Sequence, residues 1–237
     1  MENNKKLYIL AGVAVVAVGT GVLLKQNAQN TEPTPKQIPD TRIDPKWRTF
    51  VLLEKLPATT ALISANQAAT TDTFTYDAPG RCFIQRDATG QIRNHLGGPD
   101  VNTKAEGLVV YRAPAQVRVS KAGEIWLTNP GQHELQAYSA DGKLLRRWGQ
   151  PGIATEQFPG CCNPVLLDFT PEGHIVVAQK AIAMIKIYSM TGELLEVVAG
   201  PEDFTDPRVG PEALSVDAQG RVYALDHGVV KVFGRKV

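Results

Sequence analysis

Two adjacent cysteines, Cys161 and Cys162, are the residues of this chain best suited to covalent or metal chemistry. Their sulfurs could close a strained vicinal disulfide, remain two buried thiols, or form a site that binds a soft metal ion or exchanges thiols. Gly160 before them and Pro164 after them suit an unusual backbone. We expect a structural disulfide, because thiols outside the cytoplasm tend to oxidise. The third cysteine, Cys82, is interpreted as a lone strand residue.

Four histidines fall in or beside the expected turns of the chain. A catalytic zinc needs about three protein ligands, and these histidines occupy different positions within their repeats. Only two of them, in the loops after second strands, come close by repeat position: His133 and His227. We therefore interpret the histidines as polar turn residues, with shared metal ligation as the alternative. The sequence identifies no cofactor. The histidines are His95, His133, His174 and His227.

Acidic residues gather in the loops between repeats. A calcium site or a general acid/base pair could lie there, but aspartate is a common turn residue, so solvated loops are the expected state. These acidic residues are Asp100, Glu156, Glu202, Asp203 and Asp206. From the loops we choose four candidate interaction residues: Asn163, His133, His227 and Asp203.

Composition and motifs exclude several function classes. The formal net charge is +1 with no long basic block, so nucleic-acid binding has no electrostatic support. The sequence contains no phosphate-binding loop, dinucleotide fingerprint, Cys-x-x-Cys-His haem site or Gly-x-Ser-x-Gly elbow. With three cysteines in 237 residues, it is not a disulfide-framework protein either.

A block of about fifty residues recurs three times and determines the expected architecture. Pro114, Pro164 and Pro211 each precede a glycine by nine residues, at spacings of 50 and 47 residues. Each glycine opens a short apolar run (GEIWLTN, GHIVVAQ, GRVYALD), and further runs follow. This period and strand length are typical of one blade of a β-propeller. Four aromatic residues are expected to pack between blades: Trp126, Trp148, Tyr138 and Tyr188.

The globular part, residues 47–237, has room for about four blades. Phe83 to Gly97 aligns with the second half of the later repeats, which indicates a degenerate first blade. The last repeat ends after its third strand, and the run from Trp47 to Leu53 is a spare strand. We predict that this run supplies the missing strand and closes the ring, with an open arc completed by another subunit as the alternative.

An apolar run of eighteen residues without a charge, Leu7 to Leu24, lies near the N-terminus. As a helix it would reach about 27 Å, enough to span a thin bilayer. A cleaved signal peptide is the alternative, but its apolar region is normally shorter. We therefore predict a membrane anchor over residues 1–25 and a proline-rich linker over 26–46. The two lysines before the run favour an N-terminus inside an inner (cytoplasmic) membrane, with the propeller in the periplasm or outside the cell.

The segment Leu127–Tyr138 resembles the NHL repeat, whose usual run is close to V-A-D-x-x-N-H-R-I-Q-V-F. His133 occupies the motif's histidine, while Asn129 replaces its aspartate. The stretch beginning FPGCCNP is similar to uncharacterised bacterial NHL-like propellers that carry a Gly-Cys-Cys-Asn-Pro motif. Those relatives look long enough for six blades, whereas this chain has room for four.

The sequence therefore predicts an all-β protein, an NHL-like propeller of about four blades preceded by one transmembrane helix. The expected function is a protein-binding or scaffold subunit of a membrane-associated assembly. One alternative, implied by the resemblance, is a metal-dependent lyase or hydrolase. The other is a redox or metal-handling accessory that works through Cys161 and Cys162.

Overall fold

The computed structural model describes residues 43–60, 62, 64–101, 105–110 and 115–236. The predicted anchor, most of the predicted linker and the repeat proline Pro114 lie outside the described residues. In the part that is described, no helix is both long enough and apolar enough to cross a membrane.

The described residues fold into short strands, in keeping with the runs of apolar and β-branched residues between turns. They are β1 (Phe50–Pro57), β2 (Thr73–Asp77), β3 (Cys82–Arg86), β4 (Ile92–Leu96), β5 (Pro99–Asp100), β6 (Ala105–Glu106), β7 (Val117–Val119), β8 (Ile125–Asn129), β9 (Glu134–Tyr138), β10 (Leu144–Trp148), β11 (Leu166–Phe169), β12 (Ile175–Gln179), β13 (Met184–Tyr188), β14 (Leu194–Ala199), β15 (Ala213–Val216), β16 (Val222–Asp226) and β17 (Val229–Arg235). A short 3-10 helix, Pro201–Asp203, follows β14.

Four antiparallel sheets form four blades, the arrangement of a β-propeller. Blade one is β2-β3-β4, blade two is β7-β8-β9-β10, and blade three is β11-β12-β13-β14. Blade four contains β15, β16, β17 and β1 in that order. β5 and β6 pair only with each other within the described residues.

The N-terminal strand completes the last blade, which confirms the predicted splice. β1 pairs antiparallel with β17, from Phe50 opposite Arg235 to Pro57 opposite Val229, with a register shift between Leu52 and Glu54. The strand begins three residues later than the predicted run from Trp47 and continues to Pro57. Trp47 instead accepts a hydrogen bond from the backbone N–H of Val197 in the neighbouring blade.

The recurring glycine marks the first hairpin turn of each later blade. Gly123, Gly173 and Gly220 have φ values of +82°, +87° and +78°. A side chain is strained in this left-handed region, which explains why glycine recurs at this position of the repeat.

Three hydrophobic clusters join consecutive blades. The first lies between blades one and two and includes Phe83, Leu96 and Tyr138. The second lies between blades two and three and contains Trp126 and Tyr188, with Trp148 packed against it. The third joins blades three and four. The predicted packing of aromatic residues between blades is thus confirmed.

The segment Ser64–Ala68 takes the innermost place of blade one, although it does not pair with β2. The N–H of Ala65 donates to the carbonyl of Val216 in blade four, and the N–H of Ala68 donates to the carbonyl of Val119 in blade two. The segment therefore completes an inner circle with β7, β11 and β15 inside one chain. A closed ring needs an innermost segment in every blade, and Ser64–Ala68 supplies it for blade one.

Candidate functional site

The two adjacent cysteines lie in the connection from β10 to β11. Their sulfur atoms are 3.1 Å apart, a hydrogen-bonding contact between thiols and longer than the roughly 2.05 Å of a disulfide. Cys161 is exposed and Cys162 is buried. Cys161 is therefore accessible to a partner in solution, whereas Cys162 is shielded.

Hydrogen bonds fix this loop on both sides of the cysteines. The Nε2 atom of His133 lies 2.7 Å from the carbonyl oxygen of Gly160. The buried Asn163 donates from its amide group to the carbonyls of Pro159 and Lys180, at 2.5 and 2.8 Å. Its Oδ1 accepts from the N–H of Lys180 at 2.8 Å. The cysteine pair is consequently held on a rigid loop.

Four of the predicted site residues therefore come together around one loop, where they have different roles. His133 and Asn163 hold the backbone, and the cysteines carry the reactive groups. His133 has a positive φ of +59° in the turn between β8 and β9, and His227 has one of +48° in the equivalent turn of blade four. The two histidines thus lie in the loops after the second strands, as predicted, although at different positions within those loops.

His227 belongs to a second polar cluster, around Asp226 at the end of β16. The Oδ2 atom of Asp226 accepts from Lys231 Nζ at 2.6 Å and from the N–H and hydroxyl of Thr205 at 2.9 and 2.8 Å. Its Oδ1 lies 3.0 Å from His227 Nδ1. Burial raises the pKa of Asp226, but the hydrogen bonds outweigh it and the net pKa is well below the usual range. The hydrogen bond to Asp226 raises the pKa of His227.

Asp203 is a paired residue rather than part of a solvated loop, which corrects the expectation from sequence. Its Oδ2 receives a 2.6 Å contact from Arg48 Nη2 and a 2.8 Å hydrogen bond from the N–H of Gly200. Arg48 also forms an ion pair with Glu202. Arg48 stands two residues before the first strand, so these contacts hold that part of the chain against the segment that follows β14.

The axis of the propeller holds a carboxylate that sequence reasoning missed. Asp168 in β11 is fully buried. Its Oδ2 accepts from Ser64 Oγ at 2.6 Å and from the N–H of Val216 at 2.8 Å. Its Oδ1 accepts from the N–H of Phe169 at 2.8 Å and from Gln67 Nε2 at 3.3 Å. Burial, the largest effect, raises the pKa of Asp168 despite these donors.

Alignment of the repeats identifies the position of Asp168, because polar residues recur there. Arg118, Asp168 and Ser215 each stand four positions after the repeat proline, on the inner strands of blades two, three and four. In the first blade, Ser64 and Gln67 approach the same carboxylate. Within the described residues, Arg118 Nε and Ser215 Oγ are buried without a hydrogen-bond partner. Buried groups of this kind commonly bind an ordered water.

A second group of polar side chains, centred on Asn66, fills the end of the axis near the first hairpin turns. Asn66 is buried, and its amide group donates to the carbonyls of Phe169 and Asp217, each at 3.0 Å. Its Oδ1 accepts from Lys121 Nζ at 3.2 Å. The axis is thus filled by side chains of the chain itself.

The remaining predicted candidates do not converge on one site. His95 lies within β4 rather than in a turn, which corrects the sequence interpretation. His174 follows a first hairpin turn, where its N–H donates to Thr170 Oγ1. Asp100 lies in β5. Across the described residues, no group of three or more His, Cys, Asp and Glu side chains is placed to hold a metal ion.

No protein-family model matches the chain. No curated protein matches it at a significant level.

Several solved structures resemble the chain at low identity. The WD40 β-propeller domain of Doa1 is 13% identical over 73% of this chain, with a TM-score of 0.47. A putative exported protein from Bacteroides fragilis is 12% identical over 75% of the chain, with a TM-score of 0.45. Virginiamycin B lyase from Staphylococcus aureus is 12% identical over 76% of this chain and 68% of its own, with a TM-score of 0.37. The chain spans about half the length of the first two proteins.

Proposed function

We propose that this chain is a membrane-tethered, extracytoplasmic β-propeller that binds a partner protein within a membrane-associated assembly. The observation that carries the binding role is the exposed outer strand β1. Val51, Leu52 and Leu53 are 39%, 40% and 52% exposed although all three are large aliphatic residues. Successive strand residues point to opposite faces, so apolar surface is exposed on both sides of this strand.

An outer strand of this kind suits protein recognition. Within the described residues β1 pairs only with β17, so its other edge presents backbone N–H and C=O groups. An extended segment of a partner can add to such an edge through main-chain hydrogen bonds, while side chains on either face give specificity. The register shift between Leu52 and Glu54 lies within this strand, and such irregularities limit unspecific pairing at edges.

Because side chains fill the axis, binding at the protein surface is favoured over a reaction in the central channel. The oxygens of Asp168 are occupied by four donors from within the chain, and Asn66 fills one end of the axis. Surfaces on the rim and on the loops are therefore the places where a partner has access. The anchor and the extracytoplasmic location rest on the apolar run Leu7 to Leu24 and its flanking lysines.

A photo-crosslinking amino acid at position 53 tests the binding surface in membranes that contain the full chain. The matched control carries the crosslinker at Ile153, an equally apolar residue that is 68% exposed in the loop between blades two and three. We expect one discrete adduct from position 53, lost when Leu52 is changed to Lys, and none from position 153. No adduct at position 53, or equal adducts at both positions, contradicts the proposal.

Labelling of the exposed Cys161 tests the location independently. A membrane-impermeant maleimide added to intact spheroplasts should react with Cys161 if the propeller lies outside the cytoplasm, and Cys161→Ser should remove the signal. Labelling that appears only after lysis would overturn the extracytoplasmic location and leave the binding surface untouched.

A second candidate function is dithiol–disulfide exchange at the cysteine pair. The 3.1 Å separation of the sulfurs and the exposure of Cys161 favour it. In this step the Cys161 thiolate attacks a disulfide of a partner protein, and one partner thiolate leaves. Cys162 then attacks the mixed disulfide, which forms the vicinal disulfide and releases the second partner thiol. The chain loses two electrons and two protons, and the partner gains both.

Thiol counting tests this exchange. After incubation with oxidised glutathione, the denatured wild-type chain should show two fewer reactive thiols than the reduced chain, and its mass should fall by two hydrogens. Cys162→Ser should instead accumulate a glutathione adduct at Cys161. An unchanged thiol count in the wild type excludes exchange.

A further inference from the structure

A cleft separates the outer parts of blades one and two. It consists of two adjoining cavities of about 490 and 210 Å³ that share Gly97, Gly98, Tyr138 and Leu144. We call it the blade 1–2 cleft. Its size falls within the range of small-molecule sites.

The next blade junction is filled by aromatic side chains. Gly192, in the last turn of blade three, lies directly against the indole of Trp148. That indole stacks on Phe158 with centroids 6.5 Å apart and contacts Tyr188 at 5.1 Å, which fills the junction of blades two and three.

The corresponding residues at the first junction are smaller. Leu96 stands at the repeat position of Trp148, and Leu108 stands six residues before its repeat proline, as Phe158 does. The glycine at the position of Gly192 is Gly142, and it lines the cleft. Two aromatic rings are thus replaced by two buried leucines, which have smaller side chains.

The walls of the cleft combine an aromatic surface with hydrogen-bonding groups. Tyr138 lies between the two cavities, and its O–H donates to Gln136 Oε1 at 2.8 Å. Burial raises the pKa of Tyr138 to about 12, so the phenol stays neutral at physiological pH. Gly97 and Gly98 bring the backbone itself to the wall.

The lining of the cleft carries both basic and acidic side chains. Lys143 and His95 line the larger cavity, and Arg147 lines the smaller one. Within the described residues, neither Lys143 nor Arg147 forms a side-chain ion pair, in contrast to Arg146 on the same strand, which contacts Glu124 at 2.9 Å. Asp100 is the acidic residue of the lining.

We propose that the blade 1–2 cleft binds a small organic anion. The aromatic ring of Tyr138 and the side chain of Leu144 would contact the apolar body of the ligand. Lys143 and Arg147 would bind its carboxylate or phosphate group through charge-assisted hydrogen bonds. This site is independent of β1 and of the cysteine loop.

Ligand-dependent thermal stability of the full chain tests this site. The probes are benzoate, phenyl phosphate and inorganic phosphate at constant ionic strength, because a ligand that binds only the folded state raises Tm with its concentration. We expect saturable increases with benzoate or phenyl phosphate. A benzoate response alone identifies a carboxylate, and a phenyl phosphate response alone identifies a phosphate ester. A response to inorganic phosphate alone, or one as large as the response to the organic probes, overturns the organic-ligand proposal.

Two variants connect any response to the cleft. Lys143→Gln combined with Arg147→Gln should weaken binding at least tenfold, whereas Lys180→Gln, on another turn, should leave it unchanged. Gly98→Leu should fill the cleft and abolish the response. A Cβ at Gly98 makes only an ordinary 3.5 Å contact with Cys82, so this variant is expected to fold. If both cleft variants respond like the wild type, or if no organic probe raises Tm, the cleft is not a binding site.

Discussion

The hydroxyl of Ser64 donates a 2.6 Å hydrogen bond to Asp168, although 104 positions separate the two residues in the sequence. This bond joins the innermost segment of the first blade to the inner strand of the third. It shows that the axis is a polar core, in which one carboxylate gathers donors from blades one, three and four.

Asp168→Asn should therefore destabilise the fold although it preserves shape. Each oxygen of Asp168 faces two donors, so the new NH₂ group must face two donors in either orientation. We expect the free energy of unfolding to fall by about 2–4 kcal/mol. Urea unfolding followed by tryptophan fluorescence measures this change. Ser64→Ala, which removes one donor, should cost about 1 kcal/mol. If Asp168→Asn leaves the free energy of unfolding unchanged, the axis is more hydrated than its contacts indicate.

Lys186 should make stability rise with pH. Its side chain is fully buried, with Nζ donating to the carbonyls of Thr155 and Gln157 at 2.9 and 2.8 Å. Burial lowers the pKa of Lys186 well below its ordinary value of 10.5. Because the unfolded chain then binds more protons, the stability of the wild type rises with pH above the folded pKa.

Lys186→Met should remove this slope. The difference in unfolding free energy between wild type and variant, measured by urea titration at pH 7 and pH 9, should grow in favour of the wild type at the higher pH. Tyrosine ionisation, which begins at higher pH, stays small over this interval. Lys55→Met, on the exposed first strand, is the matched control and should show no pH-dependent difference. Parallel curves for wild type and Lys186→Met would mean that Lys186 remains charged throughout.

Asp226→Asn should cost about 3–5 kcal/mol, because it removes the charge that pairs with the nearly buried Lys231. The pKa of Asp226 is lowered on folding, so its contribution is present above the unfolded value and is lost as pH falls through the folded one. The difference between wild type and variant should thus grow as pH falls through the raised pKa of His227, which also pairs with Asp226, and shrink below the ordinary carboxyl pKa of 3.8. Denaturant unfolding across that range measures it. Asp206→Asn, at a partly exposed loop carboxylate, serves as the control.

Trp148→Ala should cost about 3–5 kcal/mol, because it opens the aromatic junction between blades two and three. Trp148→Leu, which reproduces the residue type found at Leu96, should cost less. Thermal and urea unfolding of both variants test this order. Equal losses would indicate that the junction cannot repack around leucine.

The fold was predictable because its signals recur. Proline and glycine at fixed spacing marked the blades, and the spare run near Trp47 identified the strand that completes the last blade. The first blade was harder to interpret because Ser64–Ala68 lacks the proline-glycine spacing and contacts neighbouring blades rather than β2.

The site was predictable only in part. The sequence identified the cysteine pair as a candidate site, but not the hydrogen bonds by which His133 and Asn163 fix its loop. Asp203 was expected to be solvated, since its partner Arg48 is distant in sequence. Asp168 was missed because a lone acid within an apolar strand has no local motif, and only its match with Arg118 and Ser215 across repeats indicates the axis.

The pairing of β1 with β17 also sets an order of events during synthesis on the ribosome. β1 is made first among the strands described, but its partner emerges only after the other three blades have been translated. Until then the nascent chain presents Val51, Leu52 and Leu53 next to an unpaired backbone. Closure of such a long loop is slow, since the entropy of bringing its ends together must be overcome before the contacts form. We therefore expect the chain to depend on a holdase that shields its first strand until the last one reaches the side of the membrane where the propeller folds.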